Sequence, residues 1–295
     1  MNISRAKTVL IVVFLGLNLF LAYHLFLPEW GGAGSAFTRE ELQKLEQKLA
    51  ENNYEISTSI PRKKMSSSFL TVRPLKTDAE KIAKQFFITG KANRIIADDK
   101  NIFESDDGVL EIFSNGFYRY LLKKDNTMEN NLTGKITSAE AVEIVENFMV
   151  QKGIEFKELK PDAVRGDPSQ SCKMSYYQLY SRVPLFSGHL GITMEKGVVK
   201  EVKNCLLEIV GQEKRREMEV LPVTMAIMRL IEEIGPAYRK RNITDVGLGF
   251  YSQEYDAEQW EVPPVWRIVI DGTDIYYVNA FTGFIEPDGF ADQIT

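Results

Sequence analysis

Cysteine and histidine are nearly missing: the 295 residues hold two of each. Zinc sites draw their four ligands mainly from these residue types, so little room is left for one. Two cysteines also exclude a disulfide scaffold. Positive charge is not in excess, since 36 Lys+Arg face 41 Asp+Glu for a net charge of -5. That balance argues against a nucleic-acid binder, which needs a basic footprint. The chain has no G-x-S-x-G, no P-loop and no G-x-G-x-x-G, the short patterns that position a nucleophile or cradle phosphates. His24 falls in the apolar N-terminal run and His189 in a predicted strand, so no second accessible His exists for metal pairing or for a His–Asp set. These absences point to a non-enzyme, and no cofactor or metal is expected.

What is present begins at the N-terminus. Residues 8–27 read TVLIVVFLGLNLFLAYHLFL, with no formal charge apart from whatever His24 carries. At about 1.5 Å per residue the run reaches roughly 30 Å, the thickness of a bilayer core. Arg5 and Lys7 precede it; Glu29 and Trp30 follow. The positive-inside rule then leaves residues 1–7 as a cytoplasmic tail, makes 8–28 a transmembrane anchor and puts the rest outside the cell. A cleaved signal peptide is the competing reading, because Gly34, Ser35 and Ala36 would suit a cleavage site. The apolar region of a signal peptide is usually shorter, about 7–15 residues. No Cys stands near Pro28 to carry a lipid.

Asn18 lies mid-span, where an amide seeks a partner. Phe14, Leu15, Leu21 and Ala22 share its helix face. Two readings stand together: this face docks on another transmembrane helix, or the amide bonds its own backbone in a single-pass anchor.

After a linker at 29–36 the pattern is α+β. Thr38 and Glu41 form a capping box, and Leu42, Leu45 and Leu49 make an apolar stripe that predicts a helix to about Glu51. A strand at 54–60, stopped by Pro61, is expected to pair with 69–72. A short helix follows near 78–87, then strands at 109–113 and 117–122 around Asn115-Gly116, a hairpin turn signal. Thr137 and Glu140 repeat the capping box; Ala141, Val142, Val145, Phe148 and Met149 give that helix its apolar face, and Gly153 caps it. Strands are predicted at 175–183, 188–195 and 198–209. A further helix starts near Pro222, with Val223, Ala226, Ile227, Leu230, Ile231 and Ile234 as its buried face, and strands follow at 246–251, 265–270 and 275–279. Helix plus three-stranded antiparallel meander thus recurs, and such elements cover each other's apolar faces. The expected units are 37–132, 133–212 and 213–295, the last two parted by the charge-dense stretch 211–219.

Several polar clusters have plain structural readings. Asp98-Asp99 and Asp106-Asp107 do not match EF-hand spacing, and Asp106-Asp107-Gly108 reads as a turn. Arg239-Lys240-Arg241 follows a helix end, where cations complement the helix dipole. Cys172 and Cys205 lie outside the membrane, so a disulfide is chemically permitted. They fall on the first and third strands of one meander, which weakens that pairing.

The residues also carry a resemblance. Ser4-Arg5-Ala6-Lys7-Thr8 and the apolar run with Phe14-Leu15, Asn18-Leu19-Phe20-Leu21 and Tyr23 resemble the start of YycI proteins. Asn52 to Ile56, with Ile60-Pro61, is similar to the segment this family places after its first helix. Pro264 to Ile268 and Tyr276 to Gly283 resemble its C-terminal strands and the ending of PepSY-type modules. With YycH, YycI proteins are membrane-anchored regulators of the WalK (YycG) sensor histidine kinase in Gram-positive bacteria. The resemblance implies a non-catalytic regulator that contacts the kinase through transmembrane helices and a YycH-like companion through membrane and extracytoplasmic surfaces. The kinase governs cell-wall metabolism. An alternative, suggested by the PepSY-like pattern, is an extracytoplasmic inhibitor or chaperone of a peptidase. A third is an envelope enzyme, which would require a deep pocket with perturbed carboxylates.

Overall fold

The computed structural model describes Phe14 and residues 36–87, 92–123, 135–155, 158–213, 217–253 and 257–287. The elements run α1 (Arg39–Glu51), β1 (Tyr54–Ile56), β2 (Ser66–Ser67), β3 (Leu70–Pro74), α2 (Ala79–Phe86), β4 (Asn93–Ile96), β5 (Lys100–Glu104), β6 (Gly108–Phe113), β7 (Tyr118–Leu122) and α3 (Ser138–Gln151). Next come β8 (Leu159–Asp167), β9 (Ser171–Tyr180), β10 (Val183–Glu195), β11 (Val198–Cys205), β12 (Leu207–Gln212), β13 (Met218–Glu219) and α4 (Val223–Ile234). The chain closes with β14 (Arg241–Phe250), β15 (Trp260–Val262), β16 (Pro264–Ile270), β17 (Asp274–Asn279) and β18 (Ile285–Glu286). The class is α+β, mostly sheet with four helices among the described residues.

Local chemistry explains the helix starts. Thr38 and Glu41, and again Thr137 and Glu140, form the predicted capping boxes, each satisfying two backbone N–H groups at a helix start. Asp78 caps α2 by accepting from the Glu80 and Lys81 N–H groups. α4 starts after Pro222 without a side-chain cap and ends at Gly235, whose φ of 74° suits glycine. Asp271 and Gly272, at φ 54° and 74°, make the tight turn between β16 and β17.

The meanders do not remain separate. Thirteen strands form one sheet in the order β18-β17-β16-β14-β10-β11-β7-β6-β5-β4, with β1 beside β14 and the β8–β9 hairpin beside β10. β1 does not pair with the 69–72 strand as expected. It runs parallel to β14, with Tyr54 opposite Arg241 and Ile56 opposite Ile243. β3 instead sits between β12 and β15 in a three-stranded sheet.

Two cores lie under this sheet. In the middle half, α2 and α3 bring Phe86, Ala141, Val145 and Met149 onto Leu110, Tyr120, Ile192 and Val202. In the C-terminal half, Leu45 and Leu49 of α1 join Ala226, Ile227, Leu230 and Ile231 of α4 over Ile243, Trp266, Ile268 and Val278. The N-terminal stretch is thereby shared out. α1 and β1 complete the C-terminal core, whereas α2 and β4–β7 build the middle one. β3 ties both, since β12 reaches it from one half and β15 from the other. Leu70, Val72, Leu207, Trp260 and Val262 pack there with Leu185 and Phe250.

Candidate functional site

Most of the predicted transmembrane face lies outside the described residues: Leu15, Asn18, Leu21 and Ala22, with the rest of the 8–28 span. Phe14 is helical and 65% exposed. Among the described residues no helix is long and apolar enough to cross a membrane. Cys172 and Cys205 are not disulfide-bonded. Cys172 pairs with Met194 on one side of β10, and Cys205 with His189 on the other. Five residues of strand separate those two positions, roughly 17 Å of rise, beyond the reach of a disulfide. The basic run after α4 is taken up structurally, Lys240 by Glu55 and Arg241 by Asp271 and Asp274. His189 is half-buried on β10, and burial pushes its pKa down to about 4, so the ring is neutral at ordinary pH.

The chemistry worth following lies where the halves meet. β14 touches β10 through one parallel pair, Leu185 opposite Phe250. Beyond that bridge the β8–β9 hairpin reaches β16 through Asp162 and Arg267. β16 is buried along all seven residues. Trp266, Ile268 and Ile270 face the helices, while Val265 and Val269 face the other way with Phe186, Tyr251, Ile275 and Tyr277. The Tyr251 and Tyr277 rings stack at 3.9 Å between centroids. Phe186, from the other half, reaches within 5.4 Å of Tyr277, and Tyr177 within 5.1 Å of Phe186. Gly249 makes this approach possible: a Cβ there would meet the Phe186 ring at 2.4 Å.

Arg267 stands in the middle of this face. Its Nη1 donates to Asp245 Oδ2 at 2.7 Å, on neighbouring β14, and its Nη2 donates to Asp162 on β8, in the other half. Its guanidinium lies 5.5 Å from the Phe186 ring centroid, a cation–π contact. The Nε–H is buried without a hydrogen-bond partner among the described residues. The side chains of Arg267 and Asp162 are each only 9% exposed, whereas Asp245 is 62% exposed. Burial raises the Asp162 pKa, opposed by the charges of Arg267 and Arg165. A bulge aims Asp162. Between Pro161 and Val164 the β8–β9 register slips by one residue, and such an extra residue redirects side chains.

Beside the aromatic cluster the halves part around an open cleft of about 740 Å³. Arg165 and Gly166 line one wall; Asp274, Tyr276, Tyr277 and Ile285 line the other. A second hollow of about 480 Å³, where β2, the β9–β10 turn and β14 meet, is lined by Ser66, Ser67, Ser68, Tyr180 and Gln212, with Glu217 as its one carboxylate among the described residues. Among the described residues it assembles no acid–base pair.

The YycI protein family matches residues 34–281. The chain belongs to the YycI family. The match bears out the family resemblance and runs through the middle of the chain; residues 4–23, where part of that resemblance was read, lie outside it. None of the curated proteins matches this YycI-family chain. Among solved structures, an uncharacterized protein from Eubacterium rectale ATCC 33656 is similar at 11% identity, over 83% of this chain and 98% of that one, with a TM-score of 0.44. The C-terminal domain of Bacillus megaterium YpeB is similar at 13% identity, over 73% and 97%, also with a TM-score of 0.44. Likenesses of this size carry no functional reading.

The Arg267 cluster was missed in sequence, though half of its signal is there. An Arg inside Pro264-Val265-Trp266-Arg267-Ile268-Val269-Ile270 is a charge in an apolar strand run, and a buried charge requires a partner. Asp162, after Lys160-Pro161, carries no such mark. Only the tertiary fold brings it to Arg267.

Proposed function

We propose that this YycI-family chain is a membrane-anchored, non-catalytic regulator of a WalK-type sensor histidine kinase, acting together with a YycH-like companion. The observation that carries the reading is the family match over residues 34–281, which begins within the linker that follows the predicted 8–28 anchor. In this reading the N-terminus is cytoplasmic and the α+β body extracytoplasmic. The helix face of Phe14, Leu15, Asn18, Leu21 and Ala22 meets the kinase's own transmembrane helices. The regulator then needs only to bind one signalling state better than the other. A preference of about 1–3 kcal/mol shifts such a balance about 5–150-fold.

The test is co-purification from membranes, with residues 8–27 either native or replaced by an unrelated apolar span. Kinase recovered only with the native span supports the reading, and Asn18→Leu should then weaken recovery. Kinase recovered with neither form overturns it. A peptidase captured by the body without its anchor would favour the inhibitor alternative.

A further inference from the structure

Arg267 and Asp162 join two halves of the molecule, and Arg267 has a second partner on its own side. Arg267 also holds Asp245 of the C-terminal half. The charge of Arg165, on the same strand as Asp162, acts on that carboxylate. A buried ion pair whose members lack other partners resists separation, because parting leaves an uncompensated charge. Here parting leaves Arg267 held by Asp245, and Asp162, drawn out with the hairpin, meets water. Parting also admits water to the Arg267 Nε–H, which is buried without a partner while the halves are together. Asp245, largely in water already, loses nothing when the hairpin moves.

The surroundings give the motion a direction. The open cleft already separates the tip of the β8–β9 hairpin from β17. At the opposite end the halves stay joined through Leu185 and Phe250 and through β3, held between β12 and β15. Arg267 pairs with Gly247, three residues along β14 from Phe250, so the contact lies roughly 10 Å from that pivot. One end is hinged; the other is held by a replaceable contact.

We propose that Asp162 and Arg267 form a releasable latch, whose parting lets the β8–β9 hairpin swing from β16 and β17 and widens the cleft between the halves. The closed state keeps Phe186, backed by Tyr177, against Tyr277; the open state uncovers the side of Tyr277 that Phe186 holds, with Tyr251 still stacked on the ring. This is a two-state element that a ligand or partner could bias. It stands on this chain's geometry, independent of any kinase.

Tyrosine nitration of the full chain in detergent micelles, read residue by residue by mass spectrometry, tests it. Tyr277 is 2% exposed and reports opening; Tyr120 and Tyr176, each 1% exposed in the middle core, report unfolding. Asp162→Ala is expected to speed nitration of Tyr277 on the order of tenfold, within the range of coupling between contacting residues, and to leave Tyr120 and Tyr176 unchanged. Asp245→Ala is expected to slow Tyr277, because Arg267 loses the partner that opening relies on. Should Asp162→Ala fail to fold, Asp162→Asn keeps the shape without the charge and should give a smaller rise. An unchanged Tyr277, a rise shared by Tyr120 and Tyr176, or a faster Tyr277 in Asp245→Ala overturns the latch. No kinase enters the measurement, so its failure leaves the regulatory reading standing, and failed co-purification leaves the latch standing.

Discussion

In the middle half, burial alternates along the strands. β6 buries every second residue, with α2 and α3 over that face. In the C-terminal half the central strand does not alternate: β16 is buried from Pro264 to Ile270, under helices on one side and against the other half on the second. Alternation marks a strand with one covered face, and a continuous apolar run marks a strand covered on both. The middle half also keeps an open edge. β4 is exposed along its whole length, and Ile96 is 73% exposed. Similar helix-on-sheet parts therefore differ in what covers the far face, and in the C-terminal half that cover is the molecule's own other half.

The largest effect expected from this contrast is at Trp266, which is buried under the helices with its Nε1–H donating to the Leu221 carbonyl at 2.8 Å. Trp266→Ala should lower the unfolding free energy by about 3–5 kcal/mol, from the cavity and the lost hydrogen bond. Urea denaturation measures it. A much smaller loss would mean that the helix-facing side is not the tighter of the two. Leu45→Ala comes next, at about 3 kcal/mol. Leu45 arrives from the N-terminal helix but belongs to the C-terminal core. Amide exchange should accelerate in β14 and β16 and stay unchanged in β6 and β7; acceleration in β6 and β7 would break the assignment of α1 to one half.

His189 tests β10, the strand that joins the halves. Burial, helped by the Lys203 charge, lowers its folded pKa to about 4 from 6.5, and the nearby Ser187 carbonyl opposes that shift only in part. The unfolded chain thus takes up a proton in a range where the folded chain does not. The contribution is fully present above pH 6.5 and is lost as the pH falls from 6.5 to 4. The slope is at most about 1.4 kcal/mol per pH unit, and less to the extent that this half-buried residue keeps contact with water. Stability of His189→Gln, measured over the same window, should be flatter than that of the native chain. Parallel curves would show that the ring titrates as it does in water.

Legibility followed the range of the interaction. Both capping boxes and the apolar stripes of α1, α3 and α4 depend on neighbours within a few residues, and all are where the sequence places them. The strands at 93–96 and 100–104 went unread, because Arg94, Asn101 and Lys100 break any alternation. β1 was matched to the wrong partner. Nothing in Tyr54-Glu55-Ile56 distinguishes a parallel place beside β14 from a hairpin with β3, and the choice is made by Leu45 and Leu49 docking on α4. The same holds at the junction. Arg267 is conspicuous in sequence, but its partner 105 positions earlier is found only through a bulge and the packing of one half on the other.

The smallest expected effect probes whether the halves unfold together. Each carries one capping box: Thr38 starts α1 in the C-terminal half and Thr137 starts α3 in the middle half. Replacing either by Ala removes a side-chain acceptor for an N–H in the first helical turn and should destabilise by about 1 kcal/mol. The two caps share no hydrogen-bond partner, so the double variant should lose about twice as much. The fused sheet and the β12-β3-β15 tie predict one urea transition, shifted equally by either substitution. If the halves unfold separately, Thr38→Ala would move only the transition reported by Trp266, and Thr137→Ala only that reported by exchange in β6 and β7. That outcome would make the junction at Leu185 and Phe250 weaker than either core, leaving Asp162, Arg267 and the aromatic cluster as the main restraint on the halves.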